Sequence, residues 1–228
     1  MTLIVAPIVE GHTEQQCLER LLHRIWGELL GATQRLQILS PPSRGHRDRL
    51  VAESGADLAE KTREAVLKLE SATHDQSDTT GLLLVLLDAD HDCPAALAPR
   101  LLKAVRALAP ADIHVACVLP KKEFENWIVA GASSLTGVNG LPTTLPAVRA
   151  SEDIKGSNWI EKQLRIVARN RRYKKTVDPI EVIRRMNLSD ARANSPSFDK
   201  LCRELEKRLP PPPPPVTEGD AQSSESTE

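Results

Sequence analysis

The sequence predicts an α/β fold: a mainly parallel sheet of about four strands, then a helical carboxyl-terminal extension and a disordered tail. Three observations carry this. Several short runs are continuously apolar rather than alternating, which is how strands buried on both faces read. Those runs alternate with amphipathic helical stretches. The chain of 228 residues is 40% hydrophobic and 27% charged, enough for a core and against fibrous or wholly disordered classes. With aromatics at only 3%, Leu, Val, Ile and Ala must build that core.

LIVAPIV (3–9) is the first buried strand, stopped by Glu10-Gly11. Thr13 stands where an N-cap belongs, and residues 14–30 place Cys17, Leu18, Leu21, Leu22, Ile25, Trp26 and Leu29 on one stripe. A weak strand is expected over 35–39, followed by the polar loop SPPSRGHRDR and a helix over 51–72. GLLLVLLDAD (81–90) is the strongest strand signal, six apolar residues ending in acids. Pro94 opens a helix, IHVACVL (113–119) is another buried strand, and EFENWIVAG (123–131) reads as a short helix. After a Gly/Pro-rich connection, helices are expected over 158–171, 178–187 and 196–209. The boundaries drawn are a core at 1–150, a basic helical extension at 151–209, and at 210–228 a polyproline spacer with a disordered acidic tail.

The net charge of −1 conceals a polarised chain. Residues 156–209 hold 14 Lys/Arg against 7 Asp/Glu, whereas the tail carries four acids and no base. Six of the bases fall within RIVARNRRYKK (165–175): Arg165, Arg169, Arg171, Arg172, Lys174 and Lys175. Such a run serves either as a solvated helix end or as a contact for phosphate backbone, with little base reading because no aromatics interleave it. No apolar run reaches the roughly 18 residues of a membrane span. The amino terminus lacks a signal-peptide pattern, and the four cysteines form no CxxC pair, so a cytoplasmic protein with reduced thiols is expected.

In parallel sheets functional groups gather at the carboxyl ends of the strands. Here those ends hold Glu10, then Asp88 and Asp90, then Lys121, Lys122, Glu123 and Glu125. Converging carboxylates repel one another unless a cation compensates them, and all-oxygen ligation suits Mg²⁺ or Mn²⁺. Singly these residues are ordinary: a Glu-Gly after a strand is usually a turn, and Cys17, Cys117, Trp127 and Trp159 read as packing residues. The Cys/His spacing after DAD fits no zinc pattern, so His91 reads as loop surface; His12 reads as a turn position.

Together, IVEGHTE, LLDADHD, KEFENWI and YKKTVDP resemble the Toprim superfamily, and within it the small bacterial proteins like the OLD-type nucleases. The resemblance spans about residues 3–131 as a Rossmann-like Toprim core and 155–209 as its helical extension. It implies Glu10 as catalytic acid/base or metal ligand, Asp88 and Asp90 as metal ligands, and Glu125, which precedes Asn126, completing the site. Glu14, Asp92 and Glu123 are secondary candidates, and Lys174 or Lys175 would be the lysine near the reacting phosphate. It implies a Mg²⁺-dependent nucleic-acid phosphodiesterase in anti-phage defence, beside a separately encoded ATPase, since no Walker motif occurs in this chain. The alternatives are a phosphatase with Asp88 as nucleophile and a non-catalytic subunit with a degenerate metal site.

Overall fold

The computed structural model describes residues 1–74, 76, 78–148 and 150–210, with only the backbone of His12. The chain is α/β with an all-parallel sheet. Its strands are β1 (Thr2–Val9), β2 (Arg35–Ile38), β3 (Ser43–Arg44), β4 (Thr79–Leu86) and β5 (His114–Val118). The helices are α1 (His12–Arg24), α2 (Arg47–Leu50), α3 (Ala56–Thr73), α4 (Pro94–Arg106), α5 (Glu125–Ala130), α6 (Gly156–Val167), α7 (Asp178–Arg185), α8 (Leu188–Asn194) and α9 (Pro196–Glu206). A π-helical turn, Ile25–Leu29, continues α1. Of the tail expected at 210–228, residues 211–228 lie outside the described residues.

The strand order is β2-β1-β4-β5, and β3 continues the β2 edge by pairing with the end of β1. From β1 the chain first moves outward through α1 to β2. It then returns through α3 to β4 on the other side of β1, and α4 carries it on to β5. The direction therefore reverses between β1 and β4, and a crevice opens at their carboxyl ends. Val9 is level with Leu86 across that pair, so Glu10 and Asp88 emerge side by side.

Strand side chains alternate between the two faces. Leu3, Val5, Val9, Leu82, Leu84 and Leu86 face a cluster built with α1 and α5–α9. Ile4, Ala6, Ile8, Leu83, Val85 and Leu87 face a second cluster covered by α3 and α4. The helices beyond residue 150 thus pack into the same apolar layer as the sheet rather than around a core of their own. All but one residue of the α1 stripe is buried as expected, and Leu29 packs against the layer from its edge.

Three local expectations change. Gly11, not Thr13, is the N-cap of α1; Thr13 Oγ1 instead donates to the Lys175 carbonyl at 3.0 Å. The helix expected over 51–72 is α3, which begins only at Ala56, and a further short helix, α2, forms out of what reads as a polar loop, where Leu50 is buried. α6 stops at Val167, so most of the basic segment forms a loop instead of a helix face. That loop is clasped by buried Asp178, which accepts from Arg171 Nη2 (2.5 Å), the Lys174 N–H (2.6 Å) and Asn139 Nδ2 (3.1 Å).

Asn126 is fully buried and plays the same part on the other side of the site. Its Nδ2 donates to the carbonyls of Ser151 (2.5 Å) and Ile154 (2.9 Å), and its Oδ1 accepts from the Gly156 N–H (3.3 Å). Gly156 must be glycine there, since a Cβ would lie 2.7 Å from the Asn126 nitrogen. Asn126→Ala leaves buried carbonyls unpaired and should cost about 3 kcal/mol, lowering Tm by roughly 6–12 °C. A thermal melt followed by tryptophan fluorescence checks it; an unchanged Tm would mean the 151–156 turn is held by other contacts.

Candidate functional site

Glu10, Glu14, Asp88 and Glu125 converge at the switch point between β1 and β4. Glu10 ends β1, and its Oε2 accepts the Asp88 N–H at 3.2 Å. Glu14 lies in the first turn of α1 and folds back over Gly11, where a Cβ would stand 2.1 Å from Glu14 Oε2. Asp88 follows β4 and is only 8% exposed; Glu125 opens α5 and is 1% exposed. Two oxygens of this group, Glu14 Oε2 and Asp88 Oδ1, are buried with no hydrogen-bond partner among the described residues.

Burial without donors penalises the charged form. Burial lifts the Glu10 pKa to about 7, with repulsion from Glu14 and Asp90 adding to it. Burial also raises Glu14, against the pull of backbone N–H groups and Lys175. Asp88 is driven well above the usual carboxylate range by burial, then by the charges of Glu14, Glu10 and Glu125. Glu125 is raised by burial and by Glu123, with Lys175 opposing. Glu123 goes the other way although it is buried, because the Ser157 N–H (2.5 Å) and Lys175 both donate to it.

Lys175 is the cation of the site. Its Nζ lies 3.2 Å from Glu123 Oε2 and 3.6 Å from Glu125 Oε2, while half of its side chain stays exposed. Tyr173 Oη stands 3.5 Å from Glu125 Oε1. The other expected lysine, Lys174, is exposed and its side chain meets no carboxylate among the described residues; its backbone N–H is what the Asp178 clasp uses.

The DADHD loop is held by Arg47, which sequence reasoning missed. Its Nε donates to the Asp88 carbonyl (3.0 Å) and its Nη2 to the Ala89 carbonyl (2.8 Å). It also pairs with Asp90 (3.2 Å) and Asp92. Asp90 takes a positive φ of 51° and turns its half-exposed carboxylate toward this arginine, away from the buried oxygens. The signal available in sequence was the cluster RGHRDR, whose bases have no acidic neighbours beyond Asp48.

The basic segment is largely committed internally. Arg165 and Arg172 share Glu161 at 2.6 and 3.0 Å, and Arg171 is held by Asp178. Arg169 makes no ion pair among the described residues and, with Arg165, Asn170 and Arg172, lines an open recess of about 520 Å³. No group of three or more His, Cys, Asp or Glu side chains among the described residues stands in a metal-holding arrangement. The carboxylates are neighbours, but Glu10 and Glu125 turn an oxygen to donors of their own, the Asp88 N–H and the Tyr173 hydroxyl with Lys175, while Glu14 and Asp88 each keep one oxygen without a donor among the described residues.

A family model described as "Domain of unknown function (DUF4276)" matches residues 9–206. The chain belongs to the DUF4276 family. No curated protein and no solved structure matches it. The DUF4276 match runs from the end of β1 through α9, so the carboxylate crevice and the carboxyl-terminal helices fall within one family unit. No helix among the described residues is long and apolar enough to cross a membrane.

Removing one charge from this cluster should stabilise the metal-free protein, because a buried carboxylate without a donor costs folding free energy. Asp88→Asn is expected to raise Tm in EDTA by an amount corresponding to about 1–2 kcal/mol. Differential scanning calorimetry decides it; a fall in Tm would mean that Asp88 is already satisfied.

Proposed function

We propose that this DUF4276 protein is a Toprim-type, Mg²⁺- or Mn²⁺-dependent nucleic-acid phosphodiesterase. The observation that supports this most is the pair of buried, unpartnered carboxylate oxygens, Glu14 Oε2 and Asp88 Oδ1, beside Glu10 at the topological switch point. Oxygen atoms in that condition fit a hard divalent cation better than any donor present. Asp88 and Glu14 would hold it, with Glu10 and Glu125 alongside. Bound there, a divalent cation supplies activated water and neutralises charge on the scissile phosphate.

The chain's own groups take the remaining tasks. Glu10 Oε1, the oxygen that the Asp88 N–H leaves free, accepts a proton. The Lys175 ammonium, held at the crevice mouth by Glu123 and Glu125, offsets negative charge gathering on the phosphoryl oxygens. Arg47 keeps Asp88 in register by fixing the carbonyls of Asp88 and Ala89 at the start of the DADHD turn. Arg169 and Lys174 offer uncommitted charge to the flanking backbone phosphates.

Plasmid DNA, RNA and a chromogenic phosphodiester should be cleaved with Mn²⁺ and not with EDTA. Asp88→Asn should abolish both cleavage and Mn²⁺-induced stabilisation, and Lys175→Ala should lower kcat by about 10²–10³-fold. Hydrolysis of a phosphomonoester alone would favour the phosphatase with Asp88 as nucleophile. Mn²⁺ stabilisation without any hydrolysis would favour a silent subunit.

The ion pairs sort the basic residues. Arg169→Ala combined with Lys174→Ala should flatten log K against log salt for duplex DNA by about two units, at roughly −0.9 per phosphate contact. Arg171→Ala should lower Tm instead, because it unmakes the Asp178 clasp. Fluorescence anisotropy at several salt concentrations tests both; an unchanged slope in the double mutant removes this loop from the interface.

A further inference from the structure

The opposite end of the sheet carries a second charged site. β5 enters at His114, α4 ends at Arg106, and Arg208 lies just past the end of α9. These three residues, with Pro110 and Ile113, line a recess of about 300 Å³. The strands are parallel, so this recess faces away from the carboxyl ends where Glu10 and Asp88 emerge.

The charges here are uncompensated. Every acid of α9 is engaged elsewhere: Asp199 by Arg192 and Arg203, Glu204 by Lys200 and Lys207, and Glu206 by Arg192. Neither Arg106 nor Arg208 forms an ion pair among the described residues. Arg208 Nε is buried with no hydrogen-bond partner among them. Burial and the repulsion of Arg106 outweigh the attraction of Glu204 and pull the Arg208 pKa down. Burial, then the Arg208 charge, pull the His114 pKa down as well. Helix carboxyl termini attract cations, which accounts for one arginine at the end of each helix. That attraction gives the buried Nε–H no acceptor and does not separate the two like charges. An anion between the two guanidinium groups would offset that repulsion.

We propose that this recess is an oxyanion site that takes a phosphate group, gripped by the guanidinium groups of Arg106 and Arg208 with His114 at the rim. Guanidinium forks match phosphate oxygens two at a time, which suits Arg here over Lys. The volume admits a phosphate together with part of its ester, at the small end of ligand pockets. The site is independent of the carboxylate crevice and stands whether or not that crevice cleaves nucleic acid.

The test titrates the full chain with inorganic phosphate, and separately with a short oligonucleotide, by calorimetry and by NMR of the His114 imidazole. Binding that shifts the His114 resonance is expected in at least one arm, and which arm responds tells a free phosphate from one on a nucleic acid. Arg208→Gln should weaken that binding at least tenfold and remove the shift, and Arg106→Gln is the second variant should the first fail to fold. Arg169→Gln, in the other arginine recess, should leave the His114 response to inorganic phosphate intact. No His114 shift in either arm, or equal responses in wild type, Arg208→Gln and Arg106→Gln, overturns the proposal. Heat without a His114 shift places binding elsewhere and overturns it too.

Discussion

Glu10, Glu14, Asp88 and Glu125 repel one another where they converge at the carboxyl edge of the sheet, and much of the surrounding structure serves to hold them there. Two parallel strands deliver Glu10 and Asp88 side by side because the chain reverses direction between them. Helix α1 adds Glu14 from its first turn, where the unpaired N–H groups favour an anion. Helix α5 adds Glu125 from a position fully inside the apolar layer. Buried like charges of this kind lower stability, and proteins tolerate them mainly where chemistry needs them.

The counterweights come from far along the chain. Lys175 reaches Glu123 and Glu125 from a loop that Thr13 and Asp178 hold in place. Arg47 ties the turn after β4 through two backbone carbonyls as well as two side chains, so its bonds set the path of the chain and not only its charge. Glu123 and Asn126 bind the start of α6 and the turn before it, which locks α5 in the orientation that points Glu125 inward. The motif EFEN therefore divides its labour. Its first acid caps a helix, its second faces the crevice, and its amide builds the turn.

The carboxyl-terminal helices matter for the same reason. A separate basic lobe would leave the crevice open on one side. Instead α6–α9 share the apolar layer of the sheet, and the loop between α6 and α7 closes over the acids with Tyr173 and Lys175. Part of the positive charge of this region is paired within it, Arg165 and Arg172 with Glu161 and Arg171 with Asp178.

The sequence by itself determined the sheet and the acids at its edge. Short continuous apolar runs between helical stretches read as strands covered on both faces, with Glu10 and Asp88 just past the ends of two of them. Between Glu123 and Glu125 the sequence pattern did not choose; only the resemblance to OLD-type proteins favoured Glu125, through its neighbour Asn126. Only the tertiary structure decided which charges are free. Asp90 was legible as half of a DxD, yet a positive φ and Arg47 turn it outward. Lys174 and Lys175 are adjacent and alike in sequence, but among the described residues only Lys175 reaches an acid with its side chain, while Asp178 holds the Lys174 backbone. Arg47 gave little signal and Glu14 stood only as a secondary candidate, since their partners lie at the ends of other elements. Local pattern records which face a residue belongs to. Whether a charge is paired depends on what the rest of the chain brings to it.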